Sequence, residues 1–155
     1  METTSIRWSK QQLSVEAREL IMDITVYLFI VLFMYTSASK LFTIKAFAST
    51  LAKSPLIGDL NFALAWMIPV IEIIISILLI IPSLRKTGLR ASLFLMAAFT
   101  IYLVYMVFSG NKLPCHCGGV ISKMSWQEHI WFNLAFIALA IIGLCKFRKL
   151  KYLRA

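Results

Sequence analysis

The chain has 155 residues, 60% of them hydrophobic and only 15% charged, with mean hydropathy +0.82 and a formal net charge of +9. A soluble domain is about 45–50% apolar and about 25% charged, so this composition excludes an ordinary soluble protein. The apolar residues fall in blocks, as membrane spans require, and the positive charge fits cytoplasmic flanks and anionic lipid, with no nucleic-acid partner expected.

The N-terminal segment carries Arg7, Lys10 and Arg18 ahead of the first apolar block. That block covers residues 21–38 and ends in Ser37-Ala38-Ser39, small residues that imitate a signal-peptide cleavage site. About twenty residues precede it, longer than a usual n-region, so it reads as a retained span.

The connection from Ser39 to Asn61 is not a plain loop. Leu41, Ile44, Phe47, Ala48 and Leu51 recur at helical spacing, with Lys45, Ser49, Thr50 and Lys53 mostly opposite. This pattern predicts a short amphipathic helix in the membrane interface. It would act as a lid or docking surface, or simply cover the end of the bundle. Ser54-Pro55 and Gly58-Asp59 then turn the chain into the next span.

The second span covers residues 62–81 and holds Pro69 and Glu72. An ionisable group at mid-membrane costs at least about 2.5–3.5 kcal/mol on insertion scales, which makes Glu72 a candidate functional residue. It is expected to face the bundle interior, with Thr100 and Tyr102 at similar depth as partners. A proton relay, a quinone contact and a polar clamp between helices are all open to it. Pro69, one turn earlier, predicts a kink and a freed carbonyl.

Arg85 and Lys86 precede the third span, residues 89–108, and Arg90 stands at its start. The loop that follows holds Pro114-Cys115-His116-Cys117-Gly118-Gly119. The fourth span covers residues 126–145, its last apolar block running from Ile130 to Cys145. Ser125-Trp126-Gln127-Glu128 fits a capping box, which predicts the helix start at Ser125. Trp126, His129 and Asn133 then share one face of its first turns. A basic tail, residues 146–155, closes the chain.

Each span is near the ~20 residues needed to cross ~30 Å of hydrocarbon, and spans of that length must be helical to satisfy their backbone groups. The expected fold is all-α: one domain over residues 1–155, an integral membrane four-helix bundle with a short interfacial amphipathic helix after the first span. Eleven Lys and Arg residues flank one side and five (Lys40, Lys45, Lys53, Lys112 and Lys123) the other. By the positive-inside rule both termini are cytoplasmic and the cysteine loop faces the oxidising side of a bacterial inner membrane.

Two thiols one residue apart, with an imidazole between them, are equipped for disulfide exchange, which proceeds through a thiolate. His116, and next His129, would raise the thiolate fraction of Cys115 and Cys117. A disulfide across one residue closes a small, strained ring, and strained disulfides are the more oxidising ones. The alternatives are a structural loop disulfide and a Cu(I) or Zn site built from Cys115, His116, Cys117 and His129. Cys145, ~30 Å away along the fourth helix, is an ordinary small apolar residue.

The chain resembles the MauE branch of the DoxX-like membrane proteins over almost its whole length. The resemblance rests on the four spans, Ser39-Lys40-Leu41, Pro69-x-x-Glu72 and Pro114-Cys115-x-Cys117-x-Gly119. It implies a role in forming or protecting disulfides of a periplasmic enzyme, with Cys115 and Cys117 as the working residues and a thioredoxin-like partner. The broader DoxX group implies a quinone as the cofactor to consider; the residues themselves name none. Disulfide-generating enzymes of the vitamin K epoxide reductase type carry a Cys-x-x-Cys and a second shuttle pair, and this chain has neither. The leading expectation is therefore a redox-associated membrane protein, an oxidoreductase or an accessory to one. The others are a non-enzymatic subunit of a larger membrane complex, with the cysteines as a staple, and a metal-handling membrane protein.

Overall fold

The computed structural model describes residues 2–53, 58–109 and 125–154. Among these there is no strand. Five helices are present: α1 (Glu2–Phe42), α2 (Ile44–Ala52), α3 (Asn61–Ile80), α4 (Arg85–Phe108) and α5 (Trp126–Arg154). Single 3-10 turns at Gly58–Leu60 and Pro82–Leu84 lead into α3 and α4.

Among the described residues, four segments are long and apolar enough to cross a membrane: Glu16–Phe42, Asn61–Ile80, Pro82–Phe108 and Gln127–Cys145. They match the four apolar blocks of the sequence. The first runs further than expected at its C-terminal end. Helix α1 continues through Lys40, which the hydropathy pattern assigns to a connection, and stops at Phe42.

Two ion pairs fix the direction of α1 against its neighbours. Asp23, early in the span, accepts a hydrogen bond from Arg85 at the start of α4, at 2.7 Å. Lys40, near the end of α1, pairs with Glu72 of α3. As α1 advances from 23 to 40 its partners retreat from 85 to 72, so α1 and α3 run antiparallel. Cys145, two residues beyond Gly143, lies toward the Arg85 end, because Gly143 abuts Leu89 and Thr25 there.

The core is a stripe of side chains at helical spacing. Helix α1 buries Val26, Phe29, Leu32 and Phe33; α3 contributes Ile75 and Leu79, α4 Leu89 and Met96, and α5 Ala140. Lipid is as apolar as leucine, so close packing rather than water exclusion holds such helices together. The Phe29 ring lies 5.6 Å from Phe33, tilted by 38°, and edge-on at 5.3 Å against Phe136, which lies 4.8 Å from Phe132. Gly88 and Gly143 sit where helices approach most closely. A Cβ at Gly88 would fall 3.1 Å from the Leu79 backbone nitrogen, and one at Gly143 would fall 2.8 Å from a Leu89 methyl.

Helix α2 bears out the amphipathic pattern. Its Phe47 and Leu51 form a buried cluster with Ala65 of α3, and Ile44 and Ala48 of α2 and Leu64 and Ile68 of α3 pack against that cluster, while Lys45 and Ser49 stay exposed. Its apolar face therefore covers the first turns of α3.

Candidate functional site

The buried charges, with a buried histidine and asparagine, gather in one half of the bundle. Lys40 is 2% exposed and Glu72 5% exposed, and the Lys40 ammonium donates to Glu72 Oε1. Glu72 is the twelfth of the 20 residues of α3, so the pair lies deep in the span. Side chains on a helix tilt toward its N-terminus. Because α1 and α3 are antiparallel, Lys40 leans into the bundle while Glu72 leans up to meet it. Lysines near span ends ordinarily extend their heads to the interface; this one is turned inward.

Aromatic and hydroxyl groups complete the surroundings of the ammonium. Lys40 Nζ lies 6.0 Å from the centroid of Phe47 on α2 and 5.8 Å from that of Phe99 on α4. Both are within range of a cation–π attraction, which strengthens where water is excluded. Thr36, one turn before Lys40, also faces the Glu72 carboxylate. The expectation of Thr100 as the partner of Glu72 fails, because its hydroxyl bonds instead to the Met96 carbonyl of its own helix at 2.7 Å.

Helix α5 brings two more polar residues inward. The capping box at its start is formed as the sequence predicts. The Ser125 backbone N–H and hydroxyl each donate to Glu128 Oε2 at 2.8 Å, and the Glu128 N–H returns a bond to Ser125 Oγ at 3.3 Å. That start sets the register that turns His129 and Asn133 inward, 3% and 1% exposed. The His129 ring lies 6.2 Å from Phe99, so a single aromatic residue touches both the histidine and the lysine.

Two polar atoms here have no hydrogen-bond partner among the described residues, Glu72 Oε2 and Asn133 Nδ2. Glu72 and His129, both picked out from sequence, thus belong to one end of the bundle. Cys115, His116 and Cys117 lie outside the described residues, and Cys145 is an exposed free thiol. Sequence reasoning missed Lys40 as a buried group, and with it Phe47 and Phe99. The available signal was its register: Phe29, Phe33, Thr36 and Lys40 form one i, i+3/i+4 series.

The bundle and its membrane-embedded charges define a multi-pass, all-α membrane protein with a polar centre at one end. Residues 18–146 match the family of methylamine utilisation protein MauE. That stretch covers most of the chain, and the chain belongs to this family. No curated protein and no solved structure matches it.

Proposed function

We propose that this protein is a redox-associated component of a bacterial inner membrane that exchanges thiol and disulfide with an extracytoplasmic partner through Cys115 and Cys117. Membership of the MauE family supports a role in methylamine utilisation. The observation that carries the reading is the position of the residues that bound the cysteine loop. Ser109 closes α4 ten residues beyond Phe99, and Ser125 opens α5 one turn before His129. Both therefore lie at the end that holds the buried polar groups. Burial of Lys40 also sharpens the charge bias, from eleven against five to eleven against four, in favour of cytoplasmic termini.

In partner oxidation, a partner thiolate attacks one sulfur of a Cys115–Cys117 disulfide and the loop S–S bond breaks. A second partner thiol then resolves the mixed disulfide. The partner loses two electrons and two protons, and the loop gains two thiols. His116 and His129 would hold a neighbouring sulfur as thiolate.

Cys117→Ser in native membranes tests this. After alkylation, Cys115 should be found in a reductant-sensitive adduct with an extracytoplasmic protein, identified by mass spectrometry. A membrane-impermeant maleimide should label reduced Cys115 and Cys117 in spheroplasts and spare Cys145. Labelling of Cys145 alone would invert the topology and remove the reading. One Cu or Zn per chain in the purified protein, lost in Cys115→Ser, would replace it with metal binding.

A further inference from the structure

Stability alone does not account for the buried charges of this bundle. A buried ion pair replaced by apolar groups of similar size is often neutral or more stable, and an ionisable group inside a span is costly. Lys40, Glu72 and His129 are nevertheless 2%, 5% and 3% exposed. One side chain joins them. Phe99 of α4 has the Lys40 ammonium 5.8 Å from its ring centroid and the His129 ring 6.2 Å away, tilted by 31°. The ammonium is held in turn by Glu72 of α3. A carboxylate, an ammonium, a phenyl ring and an imidazole thus form one series through all four spans.

The same contact sets the level of the helix ends. Helices α4 and α5 are antiparallel, since Leu89 meets Gly143 and Phe99 meets His129. At about 1.5 Å per residue, α4 continues roughly 15 Å from Phe99 to Ser109, and α5 only roughly 6 Å from His129 back to Ser125. The start of α5 therefore lies roughly 9 Å deeper than the end of α4. The chain that links Ser109 to Ser125 must return that far toward His129. Burial of His129 is no obstacle to a role there, because a side chain acting on a loop of its own chain needs contact and not solvent.

We propose that Phe99 and the Lys40–Glu72 pair are positioning residues for His129, holding its imidazole where it stabilises a thiolate at Cys115 or Cys117. This rests on the thiol–disulfide reading above. The ammonium is attracted to the negative face of the Phe99 ring, and Glu72 anchors the ammonium. Phe99, fixed from that side, packs against His129 on the other. The Ser125 cap fixes the backbone that carries the imidazole. A phenyl ring neither gives nor takes a proton, so it can hold the imidazole without competing for its nitrogens.

Alkylation rates of Cys115 and Cys117 against pH, in membranes of a Cys145→Ser chain, test the proposal. His129→Gln sets the scale: loss of an imidazole that lowers a thiol pKa by about one unit slows alkylation at neutral pH about tenfold. Phe99→Leu should slow it by a comparable factor, and the two changes together by no more than His129→Gln alone. Phe99→Tyr keeps the ring and should keep the rate. The double variant Lys40→Met with Glu72→Leu should recover its melting temperature and yet stay slow, because packing is restored and the ammonium is not. Unaltered rates in Phe99→Leu and in that double variant, beside a slow His129→Gln, would overturn the proposal and leave the thiol reading standing. An unaltered rate in His129→Gln would overturn the proposal and remove His129 from that reading. Cysteines that never alkylate or exchange in the unaltered chain would remove both. A second measure needs no thiol. In a His116→Gln chain, the ring resonances of His129 should shift in the Lys40→Met, Glu72→Leu double variant, and their constancy would count against the proposal even if Phe99→Leu failed to fold.

Discussion

Lys40 and Glu72 sit 32 positions apart in the chain and form an ion pair buried within the membrane-spanning bundle. Each makes the other tolerable there. Removing one partner of a buried pair strands an uncompensated charge and typically costs about 3–5 kcal/mol, whereas replacing both with apolar groups is often neutral. Lys40→Met and Glu72→Leu should each lower the detergent-solubilised melting temperature sharply. The double variant should recover most of the loss. A double variant that melts as low as the sum of the singles would show that the two side chains act independently.

Glu72→Gln separates the roles open to this carboxylate. Read alone, a carboxylate that merely clamps helices could be replaced by glutamine, which keeps its size and much of its hydrogen bonding. With Lys40 opposite, glutamine leaves an ammonium without a counter-charge inside the membrane. Glu72→Gln should therefore destabilise by nearly as much as Glu72→Leu, and Lys40→Met in the same chain should relieve part of the loss. Unchanged melting in Glu72→Gln with loss of partner-directed activity would instead mark Glu72 as a proton carrier.

The four spans, α2 and the α5 cap were legible because their signals are local. Hydropathy blocks, a 3.6-residue period and a Ser-x-x-Glu box need no knowledge of what lies across the bundle. Glu72 was legible as an anomaly for the same reason. Its partner was not. A lysine at the edge of an apolar block ordinarily reaches for the interface, and only the antiparallel pairing of α1 with α3 turns Lys40 inward. Inter-helix pairing is set by tertiary packing, which a hydropathy pattern does not encode. The helical extension of α1 before residue 16 was likewise hidden, because no apolar block marks it.

Asp23 and Arg85 offer the contrasting case on the same helix. Their side chains are 42% and 20% exposed. Solvent screens such pairs, and exposed pairs measure about 0.2–1 kcal/mol. Asp23→Asn should shift the melting temperature far less than Lys40→Met, and 1 M salt should shrink what shift remains. A loss equal to that of the buried pair would mean that Arg85 is shielded in the membrane.

The glycines at the helix contacts should resist enlargement. At Gly88 the nearest backbone atom is the Leu79 nitrogen, 3.1 Å from a Cβ, and backbone yields little. Overpacking of a tight interior typically costs about 1–3 kcal/mol. Gly88→Val should lower the melting temperature markedly, and Gly88→Ala less. Gly143→Ala meets the flexible end of Leu89 and should be relieved by Leu89→Ala in the same chain; Gly88→Ala should not be relieved by that change.

The cap at Ser125 fixes where α5 begins. Ser125 Oγ accepts from the Glu128 N–H, and Glu128 Oε2 accepts from both the backbone and the hydroxyl of Ser125. Loss of an N-cap hydroxyl costs about 0.5–2 kcal/mol of helix stability. The loss should be local, because α5 is held along its length by packing on α1 and α4. Ser125→Ala should speed amide exchange at residues 127–129 while leaving exchange near Ala140 unchanged. Ser125→Asp supplies a cap oxygen and should restore protection in part, although its charge now faces Glu128. Glu128→Gln keeps an oxygen acceptor for the Ser125 N–H and should cost less than Ser125→Ala. If His129 tunes the thiols, Ser125→Ala should also slow alkylation of Cys115 and Cys117 at neutral pH, since fraying of the first turn releases His129 from its buried position. Unaltered alkylation with a frayed first turn would leave His116 as the one imidazole able to serve that role.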